Sequence, residues 1–299
     1  MEGEAVPPPF LFYPSVAEER PFLINVPHSG RYYPPALRQA SRLDIQAIRL
    51  SEDAYVDAIF ADMPQVGAAM MVATHARAYV DLNRAADELD PDMFHPPLAE
   101  ESVRRTHRVR AGLGIIPAIV SRGTNIYHDR LPAREAHRRI EAIHRPYHAM
   151  LAETLAGLRR RHGMAVLIDC HSMPSADASG GASRRFGWGS GRPWPDIVLG
   201  DCWGQSCGRA LSDLAEDLFI RAGFSVRRNI PYAGGYATRH YGVPGEGIHA
   251  LQIELCRALY MDETTLMPHP DMPDIARNLT DALSALVQIF AATPRLAAE

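Results

Sequence analysis

The sequence contains no lysine: all 31 of its basic residues are arginine. That absence excludes Schiff-base chemistry and any lysine proton shuttle. Cysteine is scarce as well. Cys170, Cys202, Cys207 and Cys256 are the only four in 299 residues, and none has Cys-x-x-Cys spacing. They do not form a disulfide framework and read instead as buried thiols of a reducing compartment. No uninterrupted apolar run approaches the ~18 residues of a membrane span. Met1 to Pro9 is acidic and proline-rich, unlike the basic-then-apolar pattern of a signal peptide. Charge of one sign is lacking too. A formal net charge of -4 and a pI near 6.4 give no field for nucleic acid or an anionic membrane. The exclusions leave a soluble cytoplasmic protein as the default expectation.

What is present is a large apolar fraction, 46% of residues, enough for a sizeable core. Short apolar runs alternate with longer amphipathic segments, which predicts an α/β protein. Strands are expected at 22–26, 68–74, 79–82, 165–169, 197–199, 224–227 and 248–255. Helices are expected at about 44–63, from Pro132 to His162 with a stop at Gly163, over 205–222 with a stop at Gly223, and over 273–292. Residues 85–112 read as polar and irregular. Residues 175–195 and 230–247 read as long loops of the kind that carry function. No linker or repeat is visible, so one domain over 1–299 is expected, with 1–20 as a loosely packed extension.

Four polar clusters fall at the ends of strand candidates, where α/β sheets bind ligands. They are Pro27-His28-Ser29-Gly30, Val80-Asp81-Leu82-Asn83-Arg84, Asp169-Cys170-His171-Ser172 and Gln252-Ile253-Glu254-Leu255. His28 or His171 alone would be an ordinary buried or capping histidine. Together, each directly after an apolar run and each followed by serine, they suggest two ligands of a catalytic zinc site with a position open for water. The third ligand is sought in Ser51-Glu52-Asp53. Neighbouring helical side chains diverge by ~100°, so only one carboxylate can face the metal. Glu52 is preferred, with Asp53 as the alternative. Glu254, between Ile253 and Leu255, is a buried carboxylate whose pKa burial would raise into the range of a general base. Arg84 and Arg239 are candidates for holding a substrate carboxylate, with glycines beside Arg239 allowing close backbone approach. His144 and His148 have metal-ligand spacing, but their charge-rich surroundings suggest a solvated face. The glycine-rich stretch 180–191 lacks the Lys-Ser/Thr ending of a phosphate loop.

These clusters resemble the N-formylglutamate amidohydrolase family. The likeness lies in Val26-Pro27-His28-Ser29-Gly30, Glu52-Asp53-Ala54-Tyr55-Val56-Asp57, Val80-Asp81-Leu82-Asn83-Arg84, Ile168-Asp169-Cys170-His171-Ser172-Met173-Pro174, Pro231-Tyr232-Ala233-Gly234-Gly235-Tyr236 and Gln252-Ile253-Glu254-Leu255-Cys256-Arg257. A fainter similarity reaches the zinc carboxypeptidases. The resemblance implies a single-domain, carboxypeptidase-like α/β fold with a central, mostly parallel mixed sheet flanked by helices. It implies one divalent metal, zinc or cobalt, on His28 and His171, with Asn83 and Arg84 on a substrate carboxylate and Glu254 as base. The carboxypeptidase pattern has a ligand glutamate three residues after its first histidine. Arg31 stands there, so the third ligand must come from elsewhere. The family's reaction is hydrolysis of N-formyl-L-glutamate to formate and L-glutamate, a late step of one histidine-degradation route. Hydrolysis of another N-acyl amino acid or a cell-wall peptide is the alternative, as is a non-catalytic sensor of acidic amino acids.

Overall fold

The protein is described from a computed structural model covering residues 5–120, 123–175 and 194–292. Most of the 175–195 loop and all of the 180–191 glycine-rich stretch lie outside the described residues. The fold is α/β with a central mixed sheet flanked by helices, as expected. Its seven strands are β1 (Phe10–Tyr13), β2 (Phe22–Val26), β3 (Ala69–Ala73), β4 (Ala165–Met173), β5 (Ile197–Gly200), β6 (Val226–Arg228) and β7 (Ile248–Cys256). They lie in the order β1-β3-β2-β4-β7-β5-β6. β2 and β7 both run parallel to β4, while β5 runs antiparallel to β7 and parallel to β6. Residues 10–13, expected within the loose extension, are the sheet's edge strand.

The helices are α1 (Pro35–Ala40), α2 (Ile45–Arg49), α3 (Val56–Ile59), α4 (His107–Arg110), α5 (Ala133–Arg139), α6 (Arg145–His162), α7 (Arg209–Arg221), α8 (Tyr236–Tyr241) and α9 (Met272–Ala292). A single π-helical turn, Ile140–His144, joins α5 to α6. Among the described residues no helix is long and apolar enough to cross a membrane. All four cysteines are buried free thiols, as expected.

By its contacts the chain divides into two compact units. One comprises Phe12–Val26, Asp53–Met71 and Ala152–Glu299. Here β4 is buried along all nine residues, so the polar-apolar alternation of a half-exposed strand is missing. Phe22, Val166 and His249 are register partners, as are Ile24, Ile168 and Leu251. Phe290 of α9 makes edge-to-face ring contacts with Phe22 and His249, placing α9 over this face. Side chains alternate along a strand, so the opposite face carries Asn25, Asp169, His171, Gln252 and Glu254. The apolar face anchors the sheet, and the other face holds polar groups that burial alone would expel.

The other unit comprises Met1–Leu11, Pro27–Glu52 and Val72–Leu151. It is largely irregular yet well buried. Residues 79–82, expected as a strand, form a turn-rich segment instead. The expected helix over 44–63 is also broken. Asp44 caps α2 through a bond from Ala47 N at 2.8 Å, but the chain leaves the helix after Arg49. It restarts at Val56 behind Tyr55, which sits in the left-handed region at φ 67°.

Candidate metal centre

His171 sits on β4 two residues after Asp169, so both side chains share one face of the sheet. Its Nε2 lies 2.9 Å from Asp169 Oδ2 and its Nδ1 lies 3.1 Å from Asp53 Oδ2. Asp169 in turn accepts from Asn25 Nδ2 at 2.6 Å, its register partner on β2. Burial opposes a charge on His171. The carboxylates of Asp169 and Asp53, with Glu254 beyond them, outweigh it and hold the His171 pKa well above the ordinary histidine value. Negative surroundings that favour a proton here also favour a divalent cation.

Asp53 is fixed from its other oxygen. Arg257 follows β7 in a short 3-10 turn and donates from one terminal nitrogen to Asp53 Oδ1 at 2.9 Å. The Nε of Arg257 donates to Ser172 Oγ at 3.0 Å. Glu254 is the register neighbour of His171 across the β4–β7 pair. Gln252, two residues earlier on the same face, donates to Glu254 Oε1 at 2.9 Å.

In the other unit His28 follows β2 directly. Its Nε2 pairs with Asp81 Oδ1 at 2.8 Å. Asp81 also accepts from Asn83 N at 2.8 Å and from Arg77 Nε at 3.0 Å. Burial would raise the Asp81 pKa, but Arg84, Arg77 and His28 hold it well below the usual carboxylate range. The turn after His28 needs glycine at position 30. A Cβ there would lie 2.2 Å from the His75 carbonyl oxygen, closer than any packing permits.

One ring nitrogen from His28, one carboxylate oxygen from Asp53 and one ring nitrogen from His171 lie within 4.8 Å of one another. All three residues are buried. Two imidazoles and a carboxylate are the donor set of many catalytic zinc sites. Each histidine is held at Nε2 by an aspartate. That is the supporting pattern metal-ligating histidines usually show. The residues fit a divalent metal.

Of the two carboxylates expected as third ligand, the buried group contains Asp53, the alternative, and not Glu52. Glu52 faces Tyr33 and Arg49 instead: the Tyr33 hydroxyl donates to Glu52 Oε1, and Arg49 Nε donates to the same oxygen at 3.1 Å. The helix break after Arg49 is the reason, because it turns Glu52 and Asp53 toward different partners. Arg84 is likewise turned inward. It donates to Leu113 O at 2.8 Å and Asn83 O at 2.6 Å and stands 3.7 Å from Asp81. Burial lowers its pKa to about 10 against the pull of Asp81. Its fork is engaged by the protein's own carboxylate and carbonyls. Arg239 is exposed on α8, which packs against β4 and β7. Gly200 lets the loop before α8 cross close by, with Ala233 and Gly234 backbone within 3.0 Å of where a Cβ would stand. His144 is buried, not on a solvated face, and donates from Nε2 to Arg84 O at 2.8 Å.

Residues 20–261 match the N-formylglutamate amidohydrolase family. The chain belongs to that family. It is 31% identical over 275 residues to an N-formylglutamate deformylase of Pseudomonas putida, covering 91% of this chain and 92% of that one. It is 32% identical over 246 residues to an N-formylglutamate deformylase of Pseudomonas aeruginosa, covering 81% and 83%. The crystal structure of an N-formylglutamate amidohydrolase from Ralstonia eutropha JMP134 superposes with a TM-score of 0.86 at 34% identity, over 94% of this chain and 98% of that one. A gene product of Agrobacterium tumefaciens at 18% identity and TM-score 0.59 shares the fold. Within this family member, sequence reasoning gave no role to Asp81, Asp169, Arg257 or Asn25. The available signal was the Asp-x-His alternation at 169 and 171, which puts a carboxylate on the same strand face as the histidine.

Proposed function

We propose that the chain hydrolyses N-formyl-L-glutamate to formate and L-glutamate, with one divalent metal ion, zinc or cobalt, held by His28, Asp53 and His171. The observation that carries this reading is the buried His-Asp-His group with Glu254 beside His171 on the adjacent strand. The names of the relatives support the substrate.

A divalent metal in that position supplies Lewis acidity, polarising the amide carbonyl and acidifying water. Glu254 is the general base. Gln252 pins its Oε1, and Glu254 takes the proton as the water oxygen bonds to the formyl carbon. It then delivers a proton to the amine nitrogen as the C–N bond breaks, giving formate and L-glutamate. Arg257 keeps Asp53 oriented and Asp169 does the same for His171. Arg239 takes a substrate carboxylate, where a planar fork fixes orientation as well as affinity, and Asn83 contributes a second polar contact. Arg84 serves Asp81.

The test is formate release over a panel of N-acyl amino acids by chelator-treated protein, with and without added zinc or cobalt. Turnover should require metal and favour the N-formyl acidic substrate. Tight binding of N-formylglutamate by metal-replete protein without formate release would instead support a sensor.

A further inference from the structure

The segment Tyr79 to Arg84 carries the aspartate that holds His28, yet it has no strand partner. Val80, Asp81, Leu82, Asn83 and Arg84 are all buried. Buried backbone carbonyls must find donors, and in a sheet a neighbouring strand supplies them. Here a helix does. Arg139 donates to Tyr79 O at 3.1 Å, His148 donates from Nε2 to Leu82 O at 2.9 Å, and His144 donates from Nε2 to Arg84 O at 2.8 Å. Arg84 itself donates to Asn83 O.

His144 and His148 are about one helical turn apart, ~6 Å along the axis, and each reaches one of the two carbonyls that flank Asn83. The π turn over Ile140–His144 inserts one extra residue between Arg139 and His144. That change in phase lets all three donors face the same segment. The two rings lie side by side with centroids 4.2 Å apart.

We propose that His144 and His148 are positioning residues for the metal centre. They fix the carbonyls that flank Asn83, the turn so fixed holds Asp81 against His28 Nε2, and His28 Nδ1 is thereby aimed as a donor. The inference rests on the metal reading above and goes beyond it, because neither histidine is a ligand in that reading. The role is that of a hydrogen-bond donor at Nε2, so a side chain that donates from the same place should replace each ring.

The experiment measures zinc affinity of the full chain by competition with a chromophoric chelator, alongside thermal unfolding of the metal-free protein. His144→Leu and His148→Leu should each weaken zinc binding about tenfold, the low end of losses seen when residues supporting a ligand are removed. His144→Gln and His148→Gln should recover most of it. His148 is the less buried of the two, so His148→Leu gives the reading if His144→Leu does not fold. Undiminished affinity in a folded leucine variant overturns the proposal. So does a loss that glutamine fails to restore. Wild-type protein that binds no zinc overturns the metal reading and this inference with it.

Discussion

Replacing Arg257 by methionine should strand a buried carboxylate. Asp53 is 1% exposed and Arg257 8% exposed, and their 2.9 Å contact supplies the charge partner on the Oδ1 side. Removing one partner of such a pair costs about 3–5 kcal/mol, since the other charge is left desolvated. His171, 3.1 Å from Asp53 Oδ2 and biased toward its protonated form, remains as a second partner. That places the expected loss near the lower figure, about 3 kcal/mol. At roughly 2 °C per kcal/mol for a chain of this size, the melting temperature of the metal-free protein should fall by about 6 °C. The decisive assay is a double-mutant cycle in chelator with Asp53→Asn. Once the carboxylate charge is gone, Arg257→Met should cost much less, so the double variant should be about as stable as the Asp53→Asn variant alone. An Arg257→Met protein within ~1 kcal/mol of wild type, or a double variant showing the full sum of the two losses, would refute the reasoning.

Glu254→Gln keeps the side-chain shape but removes the base, so zinc content by elemental analysis should hold while turnover falls about 10²–10⁴-fold; near-normal turnover would reject the assignment. Arg239→Met should raise KM for N-formylglutamate, whereas Arg84→Met should lower stability and zinc affinity with little separate effect on KM; the reverse pattern would restore Arg84 as the substrate clamp. In metal-free protein the raised His171 pKa makes its protonated form a source of stability. That contribution is fully present below the unfolded histidine pKa near ~6.5 and is lost as pH rises through the higher folded value. Thermal unfolding against pH should show the decline, and His171→Asn should flatten it; an unchanged slope would count against the clamp by Asp169 and Asp53.

Much of this was legible in the residues. The apolar runs at 22–26, 165–169 and 248–255 are strands because they are buried on both faces, and His28, His171 and Glu254 stand at or near their ends as expected. Periodicity failed where side-chain contacts override it. The 44–63 segment carries a helical pattern, yet the chain leaves the helix after Arg49 and Tyr55 adopts a left-handed backbone, so Glu52 and Asp53 reach different partners. That break is also why the choice between Glu52 and Asp53 could not be made from helical geometry. Residues 79–82 look like a strand by composition, but the carbonyls of Tyr79 and Leu82 bond to helix side chains. No local pattern encodes that pairing across some sixty positions of sequence. The partners of Arg84 were hidden for a related reason. Sequence shows a guanidinium at a strand end but not the carbonyls of Leu113 and Asn83 that occupy it.

The central claim is that His28, Asp53 and His171 hold a metal that the hydrolysis needs. The most direct measurement is formate release from N-formyl-L-glutamate by chelator-stripped protein titrated with zinc, beside an Asp53→Ala variant treated the same way. Activity should be absent in the stripped protein, return with about one equivalent of zinc, and stay absent in Asp53→Ala at that concentration. Full turnover in stripped protein, or equal zinc response in the variant, would contradict it.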